Sequence, residues 1–320
     1  MKASFREKYC YPSQIRLIEI PKPTPKADEV LVKVMTTTVN RTDLGVSTGK
    51  PYAIRAFTGI TSPKIQVTGT DFAGVIEATG SEVSDFKVGD CVWGFDDNGA
   101  GTHAEWVAFS TKKALIKMPD NRDFAFMAAC AEAAHYAVNF INKVKLKPGM
   151  QVLVNGGTGA IGSAAIQILK AMEIEVTAVC FERDVEVVKT LGPDRVIALE
   201  KNDFTKEDKA YDFVFDAVGK SSYFKCRKLL KPKGVYVSTE FGYLAQNVFL
   251  TLLTPLFGGK KVKFPIVTDS KSDIVFFKEL IESGKYRAVI DRRYLLSEIV
   301  EATKYVELKE KIGNVVIDMP

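Results

Sequence analysis

The chain has 320 residues, a net charge of +5, 46% hydrophobic and 26% charged residues. That length predicts about two domains, and that balance excludes a disordered, collagen-like or coiled-coil chain. No block of Lys and Arg marks a nucleic-acid partner, and five scattered cysteines without a CxxC pair exclude a disulfide scaffold and favour a reducing, cytoplasmic compartment.

The first residues, Met1 to Arg6, show no apolar leader core. Gln14 to Ile20 alternates with period two and predicts a strand, stopped by Pro21, Pro23 and Pro25. Further strands are expected over Glu29–Val34, Val67–Gly80, Val88–Gly94 and His103–Phe109, which gives a small β-rich domain. From Phe124 to Val144 the spacing is helical and alanine-rich. Strand and helix then alternate: strands over 151–155, 175–180, 195–199, 211–216 and 234–239, helices over 160–172 and 183–191. That alternation predicts βαβ units and a parallel sheet covered on both faces. The most apolar stretch, Phe241 to Gly258, is broken by Gln246, Asn247, Thr251, Thr254 and Pro255. It falls short of the ~18–20 unbroken apolar residues of a membrane span. It predicts a buried helix, or one that walls an apolar pocket or a subunit contact. The tail from Asp273 returns to helix, strand, helix, strand.

The strongest chemical signal is Val154-Asn155-Gly156-Gly157-Thr158-Gly159-Ala160-Ile161-Gly162. Gly157, Gly159 and Gly162 form GxGxxG between an apolar strand and a helix. Glycines there permit the tight turn and the close approach of a pyrophosphate, which the free N–H groups of the helix end then bind. The next strand ends Cys180-Phe181-Glu182-Arg183. Arg183 is suited to a ribose 2′-phosphate and favours NADP, whereas Glu182 suits the free 2′-OH of NAD.

The chain resembles the medium-chain dehydrogenase/reductase superfamily, in its zinc-free quinone oxidoreductase branch. The residues that carry the resemblance include Glu29–Val34, Asn40-Arg41-Thr42-Asp43, Gly69–Glu77, Phe86–Gly94 and Gly101–Trp106. The nucleotide loop, Phe215–Gly219, Leu230–Gly234 and Lys311–Ile317 complete them. The resemblance implies an α/β fold: a GroES-like β-rich catalytic domain over 1–120 and 268–320, and a Rossmann domain with a doubly wound parallel sheet over 121–267. It also implies a homodimer, and a small apolar carbonyl or quinone substrate reduced by hydride from NAD(P)H.

Zinc-dependent members of that superfamily have Cys, His and Cys where this chain has Asn40, Thr70 and the neighbourhood of Ala129. A catalytic zinc needs about three protein ligands, so no zinc is expected. Through the resemblance, Asn40 is expected to face the nicotinamide and substrate, with its amide donating to the substrate oxygen. Thr42 matches the hydroxyl that meets an alcohol oxygen. Glu132 and His135, three apart on one helix face, suit a proton relay. Tyr52, Tyr136, Phe241 and Tyr243 are expected around the substrate. Ala217, Val218, Ser238 and Thr239 are expected against the cofactor. Ser47 stands where quinone reductases often have Arg. That keeps open an enoyl-thioester or carbonyl reductase, or a non-catalytic NADPH-binding protein.

Overall fold

A computed structural model describes residues 1–120, 122–264 and 271–320. The chain forms two compact units, Met1–Glu132 with Asp269–Glu282 and Arg287–Pro320, and Ala133–Thr268 with Ser283–Tyr286. The boundary expected at 267/268 lies outside the described residues.

In the first unit, β1 (Lys2–Phe5) pairs antiparallel with β2 (Arg16–Glu19). β3 (Glu29–Val39) runs five residues beyond its expected end at Val34 and leads into the helices α1 (Arg41–Thr48) and α2 (Arg55–Thr58). Then come β4 (Asp71–Thr79), β5 (Cys91–Phe95), β6 (Trp106–Ser110) and β7 (Ala114–Lys117). The strand expected from Val67 starts only at Asp71 because Gly69 turns there with φ +105°. A Cβ on Gly69 would sit 2.5 Å from the His103 backbone nitrogen. The strand expected from His103 likewise begins at Trp106, because the His103 backbone bonds Thr68 and Ser4 and Ala104 bridges Ala3 instead of joining the ladder with β3.

The helix expected over 124–144 is two: α3 (Phe124–Ala129) and α4 (Glu132–Ile141). They break at Cys130, whose N–H bonds the Met127 carbonyl three residues back rather than four. By length and composition Phe124–Ile141 passes as a stretch long and apolar enough to cross a membrane. Most of it is buried in the protein, as in a core helix.

The second unit alternates strand and helix: β8 (Gln151–Asn155), α5 (Ala160–Ala171), β9 (Glu175–Cys180), α6 (Val185–Lys189) and β10 (Arg195–Ala198). β11 (Tyr211–Asp216), α7 (Tyr223–Cys226), β12 (Leu230–Ser238), α8 (Gln246–Leu253) and β13 (Lys261–Lys263) follow. All six strands are parallel, in the order β10-β9-β8-β11-β12-β13. Numbered from β8 that order is 3-2-1-4-5-6, so the strand order reverses between β8 and β11, where a crevice opens at the strand ends. Leu153, Tyr211, Val214, Leu229 and Tyr236 form a buried core there.

The tail forms α9 (Lys271–Glu282), β14 (Ile290–Leu295), α10 (Ile299–Glu307) and β15 (Asn314–Asp318). β15 pairs antiparallel with β3 and parallel with β14, so the C terminus completes the sheet of the first unit. That sheet has the order β14-β15-β3-β4-β5-β7, with β6 also on β3.

The expectation of a buried helix over 241–257 is wrong. Tyr243, Leu244, Phe249, Leu252, Leu253, Leu256 and Phe257 are all exposed. Only Asn247 and Thr254 are buried in that stretch. The helix is amphipathic, and its larger apolar stripe faces outward.

Candidate functional sites

The nucleotide loop leaves β8 at Asn155. Gly156 and Gly157 both donate their N–H to the Val179 carbonyl of β9, 3.0 and 2.9 Å away, which pins the turn. Gly156 has φ +87°, and a Cβ there would meet Val218 at 2.4 Å. A Cβ on Gly162 would lie 2.1 Å from the Gly156 carbonyl oxygen. Gly159 differs, since a Cβ there meets nothing nearer than 3.7 Å. The protein's own packing does not require glycine at 159: a Cβ there would make only ordinary contacts with the Gly156 oxygen and Val218, at the N-cap of α5. The first helical bond runs from Ser163 N–H to the Gly159 carbonyl, 2.8 Å. The N–H groups of Ala160, Ile161 and Gly162 precede it and point along the helix axis out of the N-cap, with the positive end of the helix dipole. A cradle of this kind fits a dinucleotide pyrophosphate.

Around it the other expected cofactor residues converge. Ala217 donates its N–H to the Asn155 carbonyl at 3.0 Å, and Thr239 to the Asp216 carbonyl at 3.1 Å. Ser238 is buried at the end of β12, and its hydroxyl accepts from the Glu240 N–H. Asp216 is the hub, a residue sequence reasoning used only as a family marker. Its carboxylate accepts from Asn155 Nδ2 (2.9 Å), the Ser221 N–H (2.8 Å) and the Tyr236 hydroxyl (3.1 Å). It thereby ties the ends of β8, β11 and β12 to the turn that carries Val218. At the end of β9 the carboxylate of Glu182 is paired with Lys201 Nζ at 2.5 Å. The Arg183 guanidinium lies 5.6 Å over the Phe181 ring and 3.6 Å from Asp184.

His135 and Tyr136 lie on α4. The His135 ring is buried and meets the Asn139 amide at 3.2 Å. Tyr136 packs edge-on to it, 6.0 Å between centroids, and stacks on Phe140. Tyr52 and Tyr243 are exposed, and Tyr52 lies under the Arg55 guanidinium at 4.9 Å. Phe241 is half-buried and packs on Phe264.

The first unit holds a buried polar cluster at the junction of β3, α1 and β4. Asp71, 1% exposed, accepts from the Thr38 N–H (2.8 Å), the Thr38 hydroxyl (2.6 Å) and Asn40 Nδ2 (3.0 Å). Asn40 Nδ2 also lies 2.6 Å from Thr38 Oγ1, so both of its hydrogens are engaged within the protein. The expected donation from Asn40 to a substrate oxygen therefore competes with these bonds. Asn40 donates its backbone N–H to Asp43 at 2.8 Å, which starts α1. His103 is structural. Its Nε2 lies 2.9 Å from the Thr38 carbonyl, which can only accept, so Nε2 carries the proton. Nδ1 then accepts from Thr68 Oγ1 at 2.8 Å, and burial lowers this imidazole's pKa to about 4.

Burial pushes both Asp43 and Asp71 up to about 7. Hydrogen bonds from Asn40 and the Arg6 and Lys311 charges pull Asp43 back, and Thr37 and Thr38 do the same for Asp71. Glu132 is raised furthest, first by burial and then by Asp43, Asp71 and Asp97, while a hydrogen bond with Thr42 opposes the rise. Lys311 is half-buried and lowered to about 8 by desolvation, with Glu132 its leading favourable partner. Burial and the neighbouring acids thus favour the protonated form of Glu132. Sequence reasoning found Glu132 and Thr42 but missed Asp43, Asp71 and Lys311 as a group. An aspartate directly ahead of the apolar run Phe72-Ala73-Gly74-Val75-Ile76 was the available signal, because a carboxylate there needs partners.

Replacing Asp71 with Ala strands the Thr38 and Asn40 donors in the interior. It should cost about 3 kcal/mol. The check is a fall in the thermal midpoint, with a milder fall for Asp71→Asn.

Two family models match the chain: the alcohol dehydrogenase GroES-like domain over residues 26–120 and the zinc-binding dehydrogenase model over 191–317. The chain is 31% identical over 306 residues to the 2-methylene-furan-3-one reductase of Solanum lycopersicum, across 92% of this chain and 73% of that protein. It belongs to the medium-chain dehydrogenase/reductase superfamily, in the zinc-free quinone oxidoreductase-like branch. It is also 31% identical to the NADPH-dependent alkenal/one oxidoreductase, chloroplastic, of Arabidopsis thaliana over 309 residues, with the same coverage of 92% and 73%. The quinone oxidoreductase from Coxiella burnetii superposes with a TM-score of 0.88 over 100% of this chain and 99% of that one, at 24% identity, and so shares the fold. Among the described residues of this reductase-family chain, no group of three His, Cys, Asp or Glu is placed to hold a metal ion.

Proposed function

We propose that the chain is an NADPH-dependent, zinc-independent reductase of quinones or α,β-unsaturated carbonyl compounds. The observation that carries the cofactor half of this reading is the tight glycine turn at Gly156 and Gly162, which leads into the first-turn N–H groups of α5. The names of the relatives support the substrate class. Residues 156–162 would hold the pyrophosphate, with Ala217, Val218, Ser238 and Thr239 bordering the cofactor. When held there, the dihydronicotinamide would supply the hydride for the substrate's β-carbon. The electron pair then moves toward the carbonyl oxygen, and the resulting enolate takes a proton at the α-carbon; for a quinone, the proton goes to oxygen.

We assign that proton to the Thr42 hydroxyl, refilled from the protonated Glu132, with Lys311 offsetting the charge that Glu132 then carries. Asn40 holds the start of α1 and orients Thr38 and Asp71 around it. His135 is held by Asn139 and serves as packing for Tyr136. The apolar side chains Tyr52, Phe241 and Tyr243 are the proposed contacts for an apolar substrate.

NADP is preferred to NAD because Lys201 neutralises Glu182 and leaves Arg183 as the cation for a 2′-phosphate. A homodimer through the edge strand β13 rests on the family resemblance, and light scattering tests it. A reducing, cytoplasmic site of action is favoured by the five free thiols.

The deciding experiment is calorimetric titration with NADPH and NADH, followed by turnover on a small quinone and an enone. NADPH should bind about tenfold tighter, and Arg183→Ala should erase most of that difference, since a phosphate–guanidinium pair contributes about 1–3 kcal/mol. Tighter NADH binding overturns the NADP assignment. NADPH binding without turnover of either substrate class overturns the reductase.

A further inference from the structure

The turn that follows α1 carries two cations held in place by tyrosines, and the inference drawn from it rests on the reductase reading and deepens it. α1 runs from Thr42 in its first turn to a left-handed cap at Gly49. Lys50 follows, and Arg55 opens α2. The Arg55 guanidinium lies between two rings, 4.4 Å from the Tyr9 centroid and 4.9 Å from that of Tyr52. Its Nε donates to the Gly49 carbonyl at 3.1 Å. The Tyr9 hydroxyl donates to the Gly59 carbonyl and lies 2.9 Å from Thr58 Oγ1, which fixes that ring against α2. Lys50 Nζ donates to the Tyr11 hydroxyl at 2.9 Å. The Cys10 N–H bonds the Ser47 carbonyl at 2.9 Å, which seats Tyr9 and Tyr11 at the end of α1.

These contacts occupy the faces and the Nε of the guanidinium and leave the fork of its two terminal nitrogens. Among the described residues neither Arg55 nor Lys50 pairs with an acid, and residues 44–70 contain no Asp or Glu. Lys50 is held above the usual lysine range, first by its hydrogen bond with Tyr11, and Arg55 opposes that rise, so the two charges stand close together. Clustered cations without a counter-ion draw in anionic ligands. Between this turn and Thr42 the way is apolar. Thr42, Gly45 and Gly49 share one face of α1, at i, i+3 and i+7. Gly45 has no side chain, and a Cβ there would lie 3.3 Å from Ile54 Cδ1, so Ile54 covers the middle of that face. Thr42 and Gly49 are seven positions apart, roughly 10 Å along a helix, or about eight carbon–carbon bonds of an extended chain.

We propose that Arg55 and Lys50 select enone substrates that carry a carboxylate about 10 Å from the ketone, with the alkyl chain lying along Ile54 and Tyr52. A guanidinium fork matches a carboxylate bidentately, and the flanking rings hold it ready.

The test compares a methyl enone that ends in a carboxylate about eight bonds from the ketone with its own methyl ester, using NADPH as donor. A short enone acid, with the carboxylate on the alkene, and its ester give the spacing control. KM for the long acid should be about tenfold below that of its ester at low salt, and the advantage should shrink at high salt. The short acid should show no such advantage. Arg55→Gln with Lys50→Gln should bring the long acid-to-ester KM ratio back to about one. Arg55→Lys keeps the charge without the fork and should retain part of the preference. Thermal melting and NADPH titration confirm that each variant is folded. Equal KM for the long acid and its ester, or an unchanged ratio in the double variant, overturns the proposal. Calorimetric titration of the saturated keto acid and keto ester into the protein loaded with NADP reads the same preference without turnover. Tighter binding of the acid, lost in the double variant, supports the anion site, and equal binding overturns it. Absence of turnover on every enone with that binding preference intact overturns the reductase reading and leaves the anion site standing.

Discussion

Valine at position 162 should abolish measurable NADPH binding, a loss of at least about 100-fold or ~2.7 kcal/mol. The Cβ of any residue there lies 2.1 Å from the Gly156 oxygen, 2.9 Å from its carbonyl carbon and 3.1 Å from Gly157 Cα. All three are backbone atoms, so no side chain can swing away. Either α5 moves off the end of β8 or the turn at Gly156 opens, and both destroy the cradle. The melting midpoint should fall as well, because the α5 helix packs on the sheet through buried Ala164, Ala165, Ile168 and Leu169. Gly159→Ala is the companion. Its Cβ meets nothing nearer than 3.7 Å, and Gly159 has an ordinary φ of −66°, so the fold should be unchanged. If the pyrophosphate lies at Gly159, the added methyl should weaken NADPH binding about tenfold or more with no change in melting. Wild-type affinity in both variants would place the nucleotide elsewhere.

The nucleotide loop was legible because every feature of it is local. A strand, a turn held tight by Gly156 and Gly162 and a helix start lie within a few consecutive residues. The cluster of Asp43, Asp71, Glu132 and Lys311 was not legible in that way. Its members sit on α1, β4, α4 and the loop before β15, and only the folded sheet brings them together. Sequence spacing paired Glu132 with His135 on one helix face. In the fold, the interactions seen are Thr42 and the acids for Glu132 and Asn139 for His135. Strand register mattered too, because Thr37 and Thr38 reach Asp71 only if β3 runs on to Val39. The stripe on α8 failed for a different reason. A period of three to four residues reveals that a helix has an apolar face, but not whether that face points to the core or to the outside.

Glu132→Gln should lower kcat about 100-fold, in the range for loss of a positioned proton source, while making the folded chain more stable at alkaline pH. The two effects come from one cause. Burial and the neighbouring acids hold Glu132 well above the ordinary carboxylate range, and hold Asp43 and Asp71 at about 7. A carboxyl raised in the folded state retains a proton that the unfolded chain has released. Stability is therefore complete at low pH and declines as pH rises above about 4.5 toward each raised value. Lys311 has the opposite sign. It is lowered to about 8, so the unfolded chain holds more protons between about 8 and 10.5, and its contribution rises with pH there. Glutamine fills the same space and cannot ionise, so the variant loses Glu132's share of the decline. Its melting midpoint should match the wild type near pH 4 to 5 and exceed it near pH 9. Turnover should drop across the whole range, and the alkaline limb of the kcat profile that reports loss of the Glu132 proton should flatten. Glu132→Asp, which restores the acid on a shorter arm, should recover part of kcat and the pH dependence. Unchanged kcat with the predicted gain in alkaline stability would make Glu132 a buried structural acid and leave Thr42 to draw its proton from elsewhere.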